Sequence, residues 1–152
     1  MEHQFVIFRL GEEDYGVDIA AVESIIKMQA ITGIPKAPEF IEGVTNLRDS
    51  VIPILDLRKR FSLDKVDLNA DSRIVVITMR AMKVGMIVDA VSEVLQIDDT
   101  AIEPPSPMTS SIDTAFITGI AKVGERLVIL LDLERVLSVT EKSDLEALPE
   151  IV

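Results

Sequence analysis

The sequence predicts an all-β protein built as two small barrels, and three observations lead there. Apolar residues come in short runs rich in Val and Ile, turn residues punctuate those runs at regular intervals, and much of the chain is written twice. At 152 residues it is one domain, or two small subdomains sharing a core. The residues are 48% hydrophobic but only 4% aromatic, so the core must be aliphatic. β-Branched side chains favour pleated surfaces over helices.

Taken in order, Phe5 to Leu10 is a short apolar run, followed by a polar turn and a second run at Tyr15–Ile19. The next segment, "IAAVESIIKM" (19–28), fits a helix about as well as a turn plus a strand, because Ile19, Val22, Ile25 and Ile26 suit both periods. In "FIEGVTNLRDSVIPILDLRKRF" (40–61) two strands flank the turn "LRDS", and Asp56 stands where an N-cap belongs, before "LRKRF". "SLDKVDLNADS" (62–72) reads as a connector between subdomains. Ile74 to Met79 and Val84 to Val88 make another pair of runs, and the Pro/Ser-rich "EPPSPMTSSIDT" (103–114) reads as an exposed loop. In "FITGIAKVGERLVILLDLERVL" (116–137) two strands flank "VGER", with Asp132 as a second cap. Residues 140–152 read as an acidic tail, in which Pro149 would end any short helix.

Sliding the chain by 76 positions lays Phe116 on Phe40, with Ile41, Gly43, Leu55, Asp56 and Leu57 recurring as Ile117, Gly119, Leu131, Asp132 and Leu133. A weaker match at a shift of 69 lays the segment from Arg73 on that from Gln4, with Gly85 on Gly16 and Ala90-Val91 on Ala21-Val22. The order is A-B-A′-B′, and two copies argue for a pair of similar subdomains, not a solenoid. The expected division is 12–70 against 1–11 plus 71–140, all within one domain spanning 1–152.

Charge and composition exclude several functions. The formal net charge is −11, from 26 acidic and 15 basic residues, which repels phosphate backbones and anionic lipid. No nucleic acid and no membrane insertion are therefore expected, and no apolar window reaches the roughly 18 residues of a membrane span. The absence of cysteine removes thiolate chemistry and fits a reducing compartment. With no signal peptide at the start, a soluble cytoplasmic protein is expected. His3, the single histidine, lies in a terminus expected to fray, so no His-based triad can form. Asp56 and Asp132 recur as a pair of carboxylates, but helix capping explains each. "DLNAD" (67–71) lacks the glycine and terminal Glu of a calcium loop. No catalytic residue, metal or cofactor is expected. Surface recognition remains, at the aliphatic seam that two barrels create. Met28, Met79, Met82, Met86 and Met108 either fill cores or give an adaptable contact surface.

Gly43, Asn46, Arg48, Pro53, Asp56 and Leu57 carry a resemblance to the CheW family of chemotaxis coupling proteins, whose signature is G-x-x-N-x-R-G, an apolar run, then P and D-L. "EEDYGVDIAAVESI", "IPKAPEFIEGV", "KVGMIVDAVSEVL" and "LVILLDLERVL" extend it over nearly the whole chain. The resemblance implies two SH3-like five-stranded β-barrel subdomains with a few short helices. It implies a non-enzymatic adaptor bridging the cytoplasmic hairpin tip of methyl-accepting chemoreceptors and the regulatory domain of the histidine kinase CheA, recruited to membrane-anchored receptor arrays. With no receiver, kinase or phosphotransfer segment in the chain, a free-standing adaptor is expected. Carried onto matching positions, receptor contact falls to Val22, Arg48, Gly85 and Val94, with Gly43 supporting the strand nearby. No residue is singled out for the kinase. Alternatives are a coupling protein of a related non-flagellar chemosensory pathway and a small-molecule-binding β-barrel protein.

Two positions depart from the family pattern. Asp49 replaces the Gly after the arginine, which Asp tolerates if φ is positive there, and Ser24 replaces a Glu, so an Arg–Glu pair across the seam cannot be assumed although Glu23 is adjacent. The repeat separates framework from the rest. Asn46, Arg48 and Pro53 have counterparts Lys122, Gly124 and Ile129, so the fold unit does not require the arginine.

Overall fold

A computed structural model describes residues 2–36, 38–61, 63–64, 67–79, 82–105 and 114–136. In chain order its strands are β1 (Glu2–Leu10), β2 (Glu13–Asp18), β3 (Val22–Lys27), β4 (Ile41–Leu47), β5 (Ser50–Asp56), β6 (Arg73–Met79), β7 (Met82–Val88), β8 (Ala90–Asp98), β9 (Ile102–Glu103), β10 (Ile117–Val123) and β11 (Arg126–Leu131). One-turn helices α1 (Leu57–Arg60) and α2 (Leu133–Val136) follow β5 and β11. Most of the expected loop 103–114, Met108 and the acidic tail lie outside the described residues. Among the described residues no helix is long and apolar enough to cross a membrane.

The strands form two sheets, with orders β8-β1-β2-β11-β10-β9 and β3-β6-β7-β5-β4. β9 gives the first sheet a sixth strand, and its counterpart in the second is the isolated bridge Thr32–Val44. "IAAVESIIKM" resolves as a 3-10 turn at Ile19–Ala21 plus β3. His3 is not frayed. It pairs with Ile97 within the nine-residue β1, and its Nε2 lies 2.6 Å from an Asp99 carboxylate oxygen.

The sheets cut the chain elsewhere than at 12 and 71. β2 stays with β1, while β6 and β7 join β3, β4 and β5. The reason is an interlocking of the two copies. Hairpin β1–β2 pairs through a parallel contact with β11 of the distant copy, and β6–β7 pairs in the same way with β5. The third strand of each A unit then crosses to the other sheet, β3 onto β6 and β8 onto β1. Both parallel junctions carry a repeated glycine, Gly16 opposite Leu130 and Gly85 opposite Ile54. A Cβ on Gly85 would stand 2.6 Å from Ile54 Cδ1 and 2.8 Å from Ile74 Cγ2.

Alternation along the strands gives three cores. Ile7, Val128 and Leu130 point into the first barrel, and Ile52, Ile54, Ile74, Val76 and Ile87 into the second. Their neighbours of opposite parity, among them Val6, Phe8, Val75, Ile77, Leu55, Met86 and Leu131, meet between the sheets. Strands buried on both faces read as unbroken apolar runs, which is why the sequence shows little period-two patterning. The repeated Phe40 and Phe116 flank this shared core, each ring centroid 4.9 Å from the Arg60 guanidinium carbon. Arg60 Nε donates to the Val136 carbonyl and so ties α1 to α2. Met86 is fully buried, Met28 packs in the second barrel and Met82 lies at the rim of the shared core.

Both caps form as the sequence requires. The Asp56 carboxylate accepts from Arg58 N at 3.0 Å, and Asp132 from Glu134 N at 3.1 Å. Burial pushes the Asp56 carboxyl above its ordinary pKa, outweighing the bonds from Lys59 and Arg58 N–H, with nearby Glu42 adding to the rise. A raised folded-state pKa contributes stability below the unfolded value that is lost as pH rises through the folded one. Asp56→Asn keeps an equivalent cap without the buried charge. Relative to this variant, the native chain should therefore lose stability as pH rises from acid to neutral, measured by urea unfolding across that range. Gly85→Ala should lower stability by about 1–3 kcal/mol by overpacking, read as a lower urea midpoint at unchanged slope.

Candidate functional site

The hairpin β4–β5 closes with Leu47 opposite Ser50, leaving Arg48 and Asp49 as a two-residue turn. Both are left-handed, with φ of 50° and 69°. Positive φ at both positions is the type I′ geometry, whose twist matches a hairpin and which favours Asn or Asp followed by Gly. Asp49 tolerates that conformation, as expected where Asp replaces Gly. Arg48 has no such local excuse. In the repeated hairpin only Gly124 takes positive φ, at 63°. A left-handed non-glycine residue costs about 1–2 kcal/mol, and strain of this kind persists only when the surrounding structure holds it in place.

The Arg48 side chain is exposed and makes no ion pair or hydrogen bond among the described residues. Its candidate carboxylate is taken elsewhere, since Glu23 Oε1 lies 2.9 Å from Lys83 Nζ. Ser24 offers none. Arg48 is therefore an exposed cation with no carboxylate partner among the described residues, on a chain of net charge −11.

Register places the other candidates. Val22 pairs with Ile77, Ile77 with Val84, and Pro53 with Val44, in one row across the second sheet. Arg48 projects beyond the end of the sheet at which β3 begins with Val22. Val22 is half-buried and packs against the shared core together with Met82 and Val91. Val94 belongs to the first sheet, 50% exposed, opposite Val6 on the shared-core face. Gly43, at φ 147°, lets the chain at Thr32 cross β4, because a Cβ there would sit 2.1 Å from the Thr32 carbonyl oxygen. Gly85 is buried beneath Ile54 and Ile74, so its place is in the sheet's packing and it presents no side of its own to a partner.

Sequence reasoning passed over Ile25 and Val51, exposed at 41% and 38%. The repeat held the signal, because Ile25 is the counterpart of Val94, and Val51 that of Leu127, which is 46% exposed. Four exposed aliphatics on paired positions cannot be accidents of one loop.

Two interlocked sheets, each with a filled aliphatic interior and both sharing one core, define a two-barrel β module. The chain matches the family model for the CheW-like domain over residues 4–141. It is 39% identical over 138 residues to the chemotaxis protein CheW of Klebsiella aerogenes, covering 91% of this chain and 83% of that relative. Against the CheW of Treponema pallidum identity is 34% over 144 residues, covering 92% and 85%. Among solved structures, the scaffolding protein TtCheW from Thermoanaerobacter tengcongensis superposes with a TM-score of 0.84 at 46% identity, covering 93% of this chain and 91% of that one. The chain belongs to the CheW family.

Removing the turn strain gives a direct test. Arg48→Gly should stabilise the fold by about 1 kcal/mol, a rise in Tm of about 2–4 °C, measured by differential scanning calorimetry.

Proposed function

We propose that this chain is a non-enzymatic chemotaxis adaptor that couples the cytoplasmic hairpin tip of chemoreceptors to the regulatory domain of the kinase CheA. Membership of the CheW family supports the adaptor role. The observation that supports the receptor contact is the state of Arg48, left-handed, exposed and without a partner among the described residues, at the end of the second sheet where β3 begins with Val22. A helical hairpin presents apolar residues at i, i+3, i+4 and i+7, which the seam's valines accept. Burial drives that association, at roughly 25 cal/mol per Å² before the costs of association. The arginine orients the hairpin through a charge-assisted bond to a carboxylate or carbonyl of the receptor. In this reading Val22 and Val94 supply contact, while Gly43 and Gly85 support the strands behind it. Binding to receptor tips recruits the chain to membrane-anchored arrays.

The small-molecule alternative is disfavoured by the barrel interiors, which buried Ile, Val and Leu side chains occupy. A related non-flagellar pathway would use the same surfaces with different receptors.

Three-way co-sedimentation of the chain, a receptor-tip fragment and the kinase's regulatory domain tests the adaptor role, since an adaptor must hold both. Arg48→Glu should weaken tip binding at least about tenfold, or 1.4 kcal/mol, in calorimetric titration, with Tm not lowered. Normal tip binding by this variant, or its unfolding, sinks the assignment of Arg48.

A further inference from the structure

Two short crossings carry the chain between the sheets: the turn Ile19–Ala21, from β2 to β3, and the single residue Asp89, from β7 to β8. The second crossing is tied down from several sides. Arg58, on α1 of the second sheet, donates from Nε to Asp89 Oδ1 at 2.9 Å and from Nη2 to Oδ2. Asp89 Oδ2 also accepts the N–H of Gly11, in the β1–β2 turn of the first sheet, at 2.7 Å. The Asp89 backbone N–H donates to the Arg9 carbonyl at 3.0 Å, and Arg58 Nη1 reaches the Asp64 carbonyl at 2.8 Å. The two side chains are only 14% and 26% exposed.

We infer that Arg58 and Asp89 are positioning residues that fix the angle between the two barrels and thereby the width of the partner-binding seam. This rests on the receptor-seam reading, because Val22 and Val94 belong to different sheets and any rotation of one sheet moves one wall against the other. The shared aliphatic core holds the sheets together through close packing and non-directional attraction, and a polar clamp at the crossing adds a directional restraint. A planar guanidinium forked on a carboxylate supplies it, and a lysine cannot reproduce that fork. Arg60, whose Nε donates to the Val136 carbonyl, is a second tie between the sheets, from helix to helix, but among the described residues the other ion pairs lack this reach. Lys59–Glu42, Lys83–Glu23, Arg126–Asp14 and Lys122–Glu103 each stay within one sheet and the helix that follows it. The pair is also no part of the repeat, since the counterparts of Arg58 and Asp89 are Glu134 and Ala20.

The cysteine-free sequence makes the test direct. Nitroxide labels on Thr78→Cys in the second sheet and Thr118→Cys in the first, both exposed, report the inter-barrel distance by pulsed electron resonance in the full chain. The native clamp should give one narrow distance distribution. Arg58→Gln should broaden it and weaken receptor-tip binding about tenfold, a typical coupling between sites. Arg58→Lys, which keeps the charge, should fall between, and it carries the test if Arg58→Gln does not fold. An unchanged distribution in the folded variants overturns the inference, as does a broadened one with undiminished tip affinity. Arg48→Glu separates the two ideas. It should leave the distribution narrow, so its normal binding of the tip would count against the seam reading alone.

Discussion

The cluster between the two sheets is the interaction on which the rest depends. Among the described residues it holds nineteen buried side chains, against five inside each barrel. Each fully buried aliphatic side chain contributes roughly 1.5–3 kcal/mol, so neither small barrel interior alone can offset the ordering of some seventy residues. The barrels stand because they share a core. That sharing explains why each third strand crosses to the other sheet, since the exchange brings β3 and β8 against the first strands that line the shared core. It also explains why a guanidinium stacked between Phe40 and Phe116 sits at the border of this cluster, where apolar surface would otherwise meet water.

A shared core constrains what the surface can do. Residues facing it lose their exposure except at its margins, so the margin is where apolar side chains remain available to a partner. Val22, Met82 and Val91 are half-buried there, and Ile25 and Val94 emerge from the same face at the strand edges. The chain carries a net charge of −11, against which the exposed Arg48 stands out. In the proposed receptor contact, recognition and stability draw on one continuous aliphatic body.

Backbone geometry adds a second constraint. A two-residue hairpin turn demands particular φ values, and glycine meets that demand most cheaply. The second copy uses Gly124 at the corresponding turn, whereas the first keeps Arg48 in the same left-handed region. The proposed receptor contact of Arg48 would account for this asymmetry between the two turns.

The sequence by itself determined the all-β class, the duplication, the hairpins, both aspartate caps and the distinction between the repeated framework and Arg48. These follow from local chemistry, since strand pattern, turn residues and capping act over a few positions. Only the tertiary structure decided which strands pair. The interlocking depends on non-local contacts such as Ile54 with Gly85, which no local pattern around residues 12 and 71 reveals. Only the tertiary structure likewise put Gly85 beneath Ile54 and Ile74, paired Glu23 with Lys83, and left Ile25 and Val51 exposed. The motif that drew attention to Arg48 marked a position, and the left-handed turn and missing carboxylate supplied its physics.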